Sequence, residues 1–169
     1  MRLLRTERLT LEPQLASHAE EMFPVMCDPA IYEFENAPPK SVDSLRALYQ
    51  RLESRQSPNG FEQWLNWILR LQDGTAIGYV QATLDAPGRA TIAYELGSTW
   101  WGKGYASEGV RAMLDELLAH YGVFDFYATY KARNHRSARL LSRLEFQTCR
   151  PGPETPHLLS DEVLMYKGM

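Results

Sequence analysis

Apolar positions change period several times along this chain, and the changes mark out its elements. Alternation around Leu9 and Leu11 reads as a first strand over Leu3 to Glu12, and helix-like spacing follows from Ala16 to Met26, halting at Asp28-Pro29. An irregular aromatic and acidic stretch, Ile31 to Asn36, runs into Pro38-Pro39. Ser41 then caps a helix whose apolar stripe is Val42, Leu45, Leu48 or Tyr49, and Leu52, ended by Ser57-Pro58-Asn59-Gly60. Trp64 to Leu71, Ala76 to Leu84 and Thr91 to Leu96 read as an antiparallel meander turning at Asp73-Gly74 and Pro87-Gly88. From Ala106 a second long stripe, Val110, Met113, Leu114, Leu117, Leu118 and Tyr121, ends at Gly122, where a helix-closing glycine is expected. A strand from Phe124 to Tyr130, a short helix from Ser137 to Leu144, and strands at Phe146 to Arg150 and Val163 to Tyr166 complete the order. The pattern predicts a mixed α/β fold, a mostly antiparallel central sheet flanked by helices.

Composition narrows the class. A chain of 169 residues with 44% hydrophobic content closes one substantial core and is too short for two comfortable domains, so residues 1–169 are expected to form a single domain. The amino terminus, MRLLRTERLT, is broken by Arg and Glu before an apolar run develops, and no later stretch approaches bilayer length. A soluble cytoplasmic protein without a membrane partner is expected, with a homodimer left open. A net charge of −3 argues against nucleic acid, which needs a coherent basic face. Cys27 and Cys149 lie far apart, and His18, His120, His135 and His157 fall at no ligand spacing, so no metal is expected.

The segment from Tyr94 to Val110 carries the chemistry. An apolar strand runs into a Gly-x-Gly turn that opens directly into an amphipathic helix. The first amides of a helix have no intrahelical acceptor and lie at the positive end of the peptide dipole, so an anion can sit on them. Gly102 and Gly104, flanking Lys103, supply bare backbone that reaches positive φ and lets the ligand approach closely. A pyrophosphate is the expected cargo. Residues 97–103 match the start of a GxxxxGK nucleotide loop, but Gly104 stands where that loop needs a magnesium-binding hydroxyl. The GxGxxG dinucleotide fingerprint also fails, because its third glycine position is Ser107.

Trp101, Gly104 and Ala106 fall on the acyl-CoA motif of the GNAT superfamily of N-acetyltransferases, whose signature is Gln or Arg, two variable residues, Gly, one variable residue, then Gly or Ala. Trp101 departs from the usual polar residue, and the wording Trp-Gly-Lys-Gly-Tyr-Ala-Ser-Glu looks like the branch of ribosomal-protein N-terminal acetyltransferases. A second block, Asn134 to Ser137 followed by Leu140, Leu141, Leu144 and Phe146, is similar to the family's Asn-x-x-Ser helix and terminal Leu-Gly-Phe, with Glu145 in the place of Gly. The resemblance covers the second half of the chain well. It implies a sheet whose two middle strands splay apart to admit the pantetheine arm of acetyl-CoA, used as co-substrate. It places that molecule against Leu96, Trp101, Gly102, Lys103, Gly104, Tyr105, Ala106 and Ser107, with Asn134, Arg136, Ser137 and Arg139 on the facing helix.

Each of these residues also has a plainer reading. Lys103 is a solvated side chain, and Arg136, Arg139 and Arg143, with Lys131 and Arg133, either meet the CoA phosphates or form a solvated helix face. Asn134 is a helix cap, to which the resemblance adds a cofactor contact. Ser137 either protonates the leaving thiolate or bonds its own backbone; the tyrosine that many relatives carry one turn on is Leu141 here. Glu95 is the candidate general base for a primary amine, or a cross-sheet partner. An α-amino group, with a pKa of roughly 8, needs less help than a lysine at about 10.4. Glu33, Glu35 and Tyr94 are the candidate acceptor-binding residues, the two carboxylates drawing a cationic amine or simply solvating a loop. The reading is an acetyl-CoA-dependent N-acetyltransferase using direct attack in a ternary complex; the alternative is a non-catalytic acyl-CoA sensor with the same clamp.

Overall fold

The computed structural model describes residues 1–34, 36–152, 155 and 158–169. The amino-terminal alternation, expected as one strand, is folded back on itself as β1 (Leu4–Arg5) and β2 (Leu9–Pro13), which pair antiparallel. Thr6 makes the reversal: its amide donates to the Leu9 carbonyl at 2.9 Å and its Oγ1 accepts from the Leu9 amide at 2.9 Å. A turn built from one hydroxyl leaves the two-residue period intact on both sides, so the pattern alone does not betray it.

The meander follows as β3 (Gln63–Leu71), β4 (Ala76–Ala86) and β5 (Arg89–Leu96). Before it come α1 (Ala19–Met26), entered through a 3₁₀ turn at Ala16–His18, and α2 (Val42–Glu53). Ser41 caps α2 as expected, its Oγ accepting from the Ser44 amide at 3.1 Å. After the meander come α3 (Tyr105–Tyr121), β6 (Asp125–Lys131), α4 (His135–Arg143), β7 (Gln147–Thr148) and β8 (Glu162–Gly168). Helix α4 starts two residues before Ser137 because Asn134 is its cap, accepting from the Ser137 amide at 3.1 Å. Strand β7 is shorter than the expected Phe146 to Arg150, since Phe146 turns into the core and the ladder with β8 holds Gln147 and Thr148, followed by one bond from the Cys149 amide to the Leu164 carbonyl at 3.1 Å.

Among the described residues the strands form one sheet in the order β1-β2-β3-β4-β5-β6-β8-β7. Of these described strands only β5 and β6 run parallel, and α3 makes the crossover between them. Val110, Met113, Leu114 and Leu117 press α3 onto one sheet face beside Leu141 and Leu144, while Leu118 is exposed at the edge of the stripe. Burying each of the four contributes about 1.5–3 kcal/mol. On the opposite face Ala19, Met22 and Met26 of α1 and Leu45 and Tyr49 of α2 pack on Ile68 and Ala76.

The feature that makes a site is a failure of pairing. Strands β5 and β6 are joined only at Arg89–Asp125, Ala90–Phe126 and Thr91–Tyr127. Beyond these β5 runs on to Leu96 and β6 to Lys131 without further bonds between them, each keeping its outer neighbour. The wedge opens toward the start of α3 on one side and of α4 on the other, as the resemblance implied. Backbone groups of β5 from Ile92 to Tyr94 that would face β6 are thereby left without a partner on that strand, inside the protein, where a polar ligand can meet them.

Candidate active site

The open wedge is a cleft of about 530 Å³ between β5, β6, the β5–α3 turn and α4. Its floor toward α3 is the glycine turn. Gly102 and Gly104 take φ of +73° and +84°, the left-handed region expected of them, and Gly104 is the residue before α3. The first helical bond runs from the Glu108 amide to the Gly104 carbonyl at 3.1 Å, so the amides of Tyr105, Ala106 and Ser107 have no partner within the helix. All three residues and both glycines line the cleft. These open donors and a backbone free of Cβ atoms fit a diphosphate.

Residues far away in sequence hold the turn in shape. Arg8, which no local signal marked, donates through Nη1 to the Lys103 carbonyl at 2.9 Å and through Nε to Glu108 at 2.6 Å, and its guanidinium lies 4.7 Å from the Tyr105 ring. Burial works against ionising Glu108, but hydrogen bonds from Thr6 and Arg8 outweigh it and hold its pKa below the ordinary value. On the other flank the Ser98 amide donates to Asp28 Oδ2 at 2.6 Å, and the Ser98 side chain first, then this amide, depress the Asp28 pKa. Trp101 Nε1 donates to the Leu96 carbonyl at 2.7 Å, fixing the indole against the end of β5. Lys103 projects outward with its Nζ 4.8 Å from the Trp100 ring.

Strand alternation divides the chemistry between the two faces of β5. On the α1/α2 face Glu95 stands opposite Tyr79 of β4, and the Tyr79 hydroxyl donates to Glu95 Oε2 at 3.1 Å. Glu95 lines the cleft while it is paired across the sheet. Burial first, then the Glu95 charge, pushes the Tyr79 pKa well up, which keeps its hydroxyl a donor at all ordinary pH. Tyr32 stands near the same carboxylate, its pKa raised to about 12 by burial and then by Glu95. On the α3/α4 face Tyr94 packs against the core, its hydroxyl shut off from solvent beside Ser137 and without a hydrogen bond of ordinary geometry among the described residues. Burial raises its pKa to about 12, and neighbouring Ser137 of α4 draws it back. Tyr94, assigned from sequence to the acceptor, is thus grouped with Ser137 and not with Glu33.

At the mouth Arg136 joins residues read separately in the sequence. Its Nη2 donates to Glu33 Oε2 at 2.7 Å, and its guanidinium lies 4.2 Å from the Trp101 ring and 5.5 Å from the Phe34 ring. The aromatic residue in the motif's polar position therefore carries a cation on its face. Asn134, Arg139 and Arg143 line the same wall. Lys131 does not join them, because Asp161 and Glu162 hold its ammonium at 2.9 and 3.2 Å. Glu35 lies outside the described residues. Glu145, in the place of the motif glycine, adopts the glycine-like φ of +68° and pairs with Lys167 at 2.8 Å, so the turn after α4 keeps its geometry.

The model of the acetyltransferase (GNAT) domain matches residues 8–147. The chain belongs to the GNAT acetyltransferase family. It transfers an acetyl group from acetyl-CoA to an amine. An uncharacterized N-acetyltransferase, p20, of Bacillus licheniformis is 31% identical over 150 residues, which are 87% of this chain and 83% of that protein. The fold superposes on RimL, a ribosomal L7/L12 alpha-N-protein acetyltransferase solved in complex with coenzyme A, with a TM-score of 0.78 at 16% identity, covering 98% of this GNAT chain and 96% of that one. A ribosomal-protein-S5-alanine acetyltransferase from Vibrio fischeri gives a TM-score of 0.76 at 17% identity, covering 99% and 97%.

Proposed function

We propose that this acetyltransferase works by direct attack of a neutral primary amine on the thioester, with acetyl-CoA entering from the α3/α4 side and the acceptor from the α1/α2 side. The observation that carries this reading is the division of β5: the glycine clamp and Ser137 line one side of the wedge, and Glu95 reaches it from the opposite strand face. Amides of Gly104 to Ser107 hold the diphosphate, at about 1.5–3 kcal/mol for each bond to a charged oxygen. The free edge of β5 offers amides to the thioester oxygen, stabilising charge that develops there as the amine attacks. Glu95 takes the amine proton directly or through one water, the carbon–nitrogen bond forms, and the carbon–sulfur bond breaks. Ser137 donates to the departing sulfur, with Tyr94 behind it.

The acceptor we assign is the amino terminus of a protein or peptide. An α-amino group, with a pKa of roughly 8, is about one-tenth neutral at pH 7, roughly a hundredfold more than a lysine, so one carboxylate suffices as base. The names of the RimL and S5-alanine enzymes point the same way. Two unpaired cysteines, Cys27 and Cys149, accord with a cytoplasmic setting. The test is release of free CoA thiol from acetyl-CoA over a panel of short peptides differing in the first residue, with a polyamine and an amino sugar beside them. Turnover with peptides above the others is expected. Bound acetyl-CoA without thiol release from any amine would make the protein a sensor and end this reading.

A further inference from the structure

One guanidinium connects the two sides of the cleft. Arg136 rests on the Trp101 ring at 4.2 Å, and Trp101 directly precedes Gly102 of the clamp. Its other contacts, Glu33 Oε2 at 2.7 Å and the Phe34 ring at 5.5 Å, come from the segment between α1 and α2, on the acceptor side. The ion pair is a weak one, because the Arg136 and Glu33 side chains are 43% and 54% exposed and solvent screens them. A diphosphate already seated on the neighbouring amides has a stronger claim on the guanidinium. It carries more charge than a carboxylate, and closing one more contact on a bound ligand costs little further freedom.

We propose that Glu33 is an internal substitute for phosphate: it holds Arg136 on Trp101 in the free enzyme, and the diphosphate of acetyl-CoA takes Arg136 over. Glu33, released, then faces the ammonium group of the arriving acceptor. The inference rests on the acetyltransferase reading above and adds to it a coupling between the two substrates. Whatever binds Arg136 frees Glu33, and whatever cation binds Glu33 frees Arg136, so each substrate favours the other by the same factor.

Calorimetric titration of CoA into the wild type, Glu33→Gln, Arg136→Ala and the double variant tests it, and both residues are exposed enough for the variants to fold. Arg136→Ala is expected to weaken CoA binding by roughly ten- to hundredfold, the loss of one charge-assisted contact. Glu33→Gln is expected to tighten it by about two- to fivefold, the size of an exposed ion pair. In the Arg136→Ala background the gain from Glu33→Gln should vanish. No gain in the single variant overturns the proposal, and so does an equal gain without Arg136, which would reflect only one less negative charge near a polyanion. A wild type that fails to bind CoA overturns the clamp as well, whereas normal binding with an additive cycle overturns the switch alone.

Discussion

Gly104→Val tests the clamp through a single backbone position. Gly104 sits at φ +84° immediately before α3, and a β-branched residue there costs about 1–2 kcal/mol of stability. A Cβ would stand 3.2 Å from Arg8 Nη2, the flexible end of a long side chain that can move aside, so conformation and not crowding sets the cost. For a domain of this size that cost lowers Tm by roughly 2–8 °C, and the fold survives. Binding suffers more, because the valine either covers the amides beside it or rotates them away from the cleft. Losing two donors to a charged phosphate, at about 1.5–3 kcal/mol each, weakens CoA by roughly 10²- to 10⁴-fold. Calorimetry with CoA reads the affinity and a thermal melt by circular dichroism reads the fold. A folded variant whose Kd stays within about threefold of the wild type would refute the assignment of these amides to the diphosphate.

Glu95→Gln keeps an acceptor for the Tyr79 hydroxyl but no base, so kcat should fall by roughly 10²- to 10⁴-fold in a thiol-release assay while calorimetric CoA affinity holds; near-normal turnover would remove Glu95 from the mechanism. Tyr94→Phe deletes a buried hydroxyl that makes no hydrogen bond of ordinary geometry among the described residues and only a weak contact with Ser137, and an unmade bond of that kind costs about 1–3 kcal/mol, so the melting temperature should stay level or rise. A fall of several degrees would mean that the hydroxyl is bonded after all. Acid should destabilise the fold, because Arg70 lowers the pKa of Glu21, Ser98 that of Asp28, and Thr6 with Arg8, against burial, that of Glu108. Folded values below unfolded ones give stability that is full above the ordinary carboxylate range, about pH 4–5, and lost as pH falls through the folded values. Urea midpoints between about pH 6 and pH 3 should show that slope, and Glu108→Gln should flatten it; an unchanged slope would contradict the account of Glu108.

What could be read from the sequence was what local pattern encodes. The α3 stripe apart from Leu118, the Ser41 and Asn134 caps, the meander turns and the positive φ at Gly102 and Gly104 all follow from neighbours within a turn or two, and each appears where expected. The Thr6 reversal escaped because alternation continues on both sides of it. Arg8, nearly a hundred residues from the turn it braces, and Asp28, seventy residues from Ser98, escaped because contact between distant segments leaves no period behind. The same holds for Arg136 and Glu33, whose meeting across the cleft depends on how α4 and the α1–α2 segment are carried by opposite faces of the sheet. Which way Glu95 and Tyr94 point was open until register fixed Tyr79 opposite Glu95 and Val80 opposite Tyr94.

The most direct measurement is a crystal structure of the protein grown with CoA. The account predicts diphosphate oxygens about 2.7–3.2 Å from amide nitrogens between Gly104 and Ser107, with the pantetheine arm running along the open edge of β5 toward Ser137. CoA bound elsewhere, with those amides meeting only solvent, would contradict it.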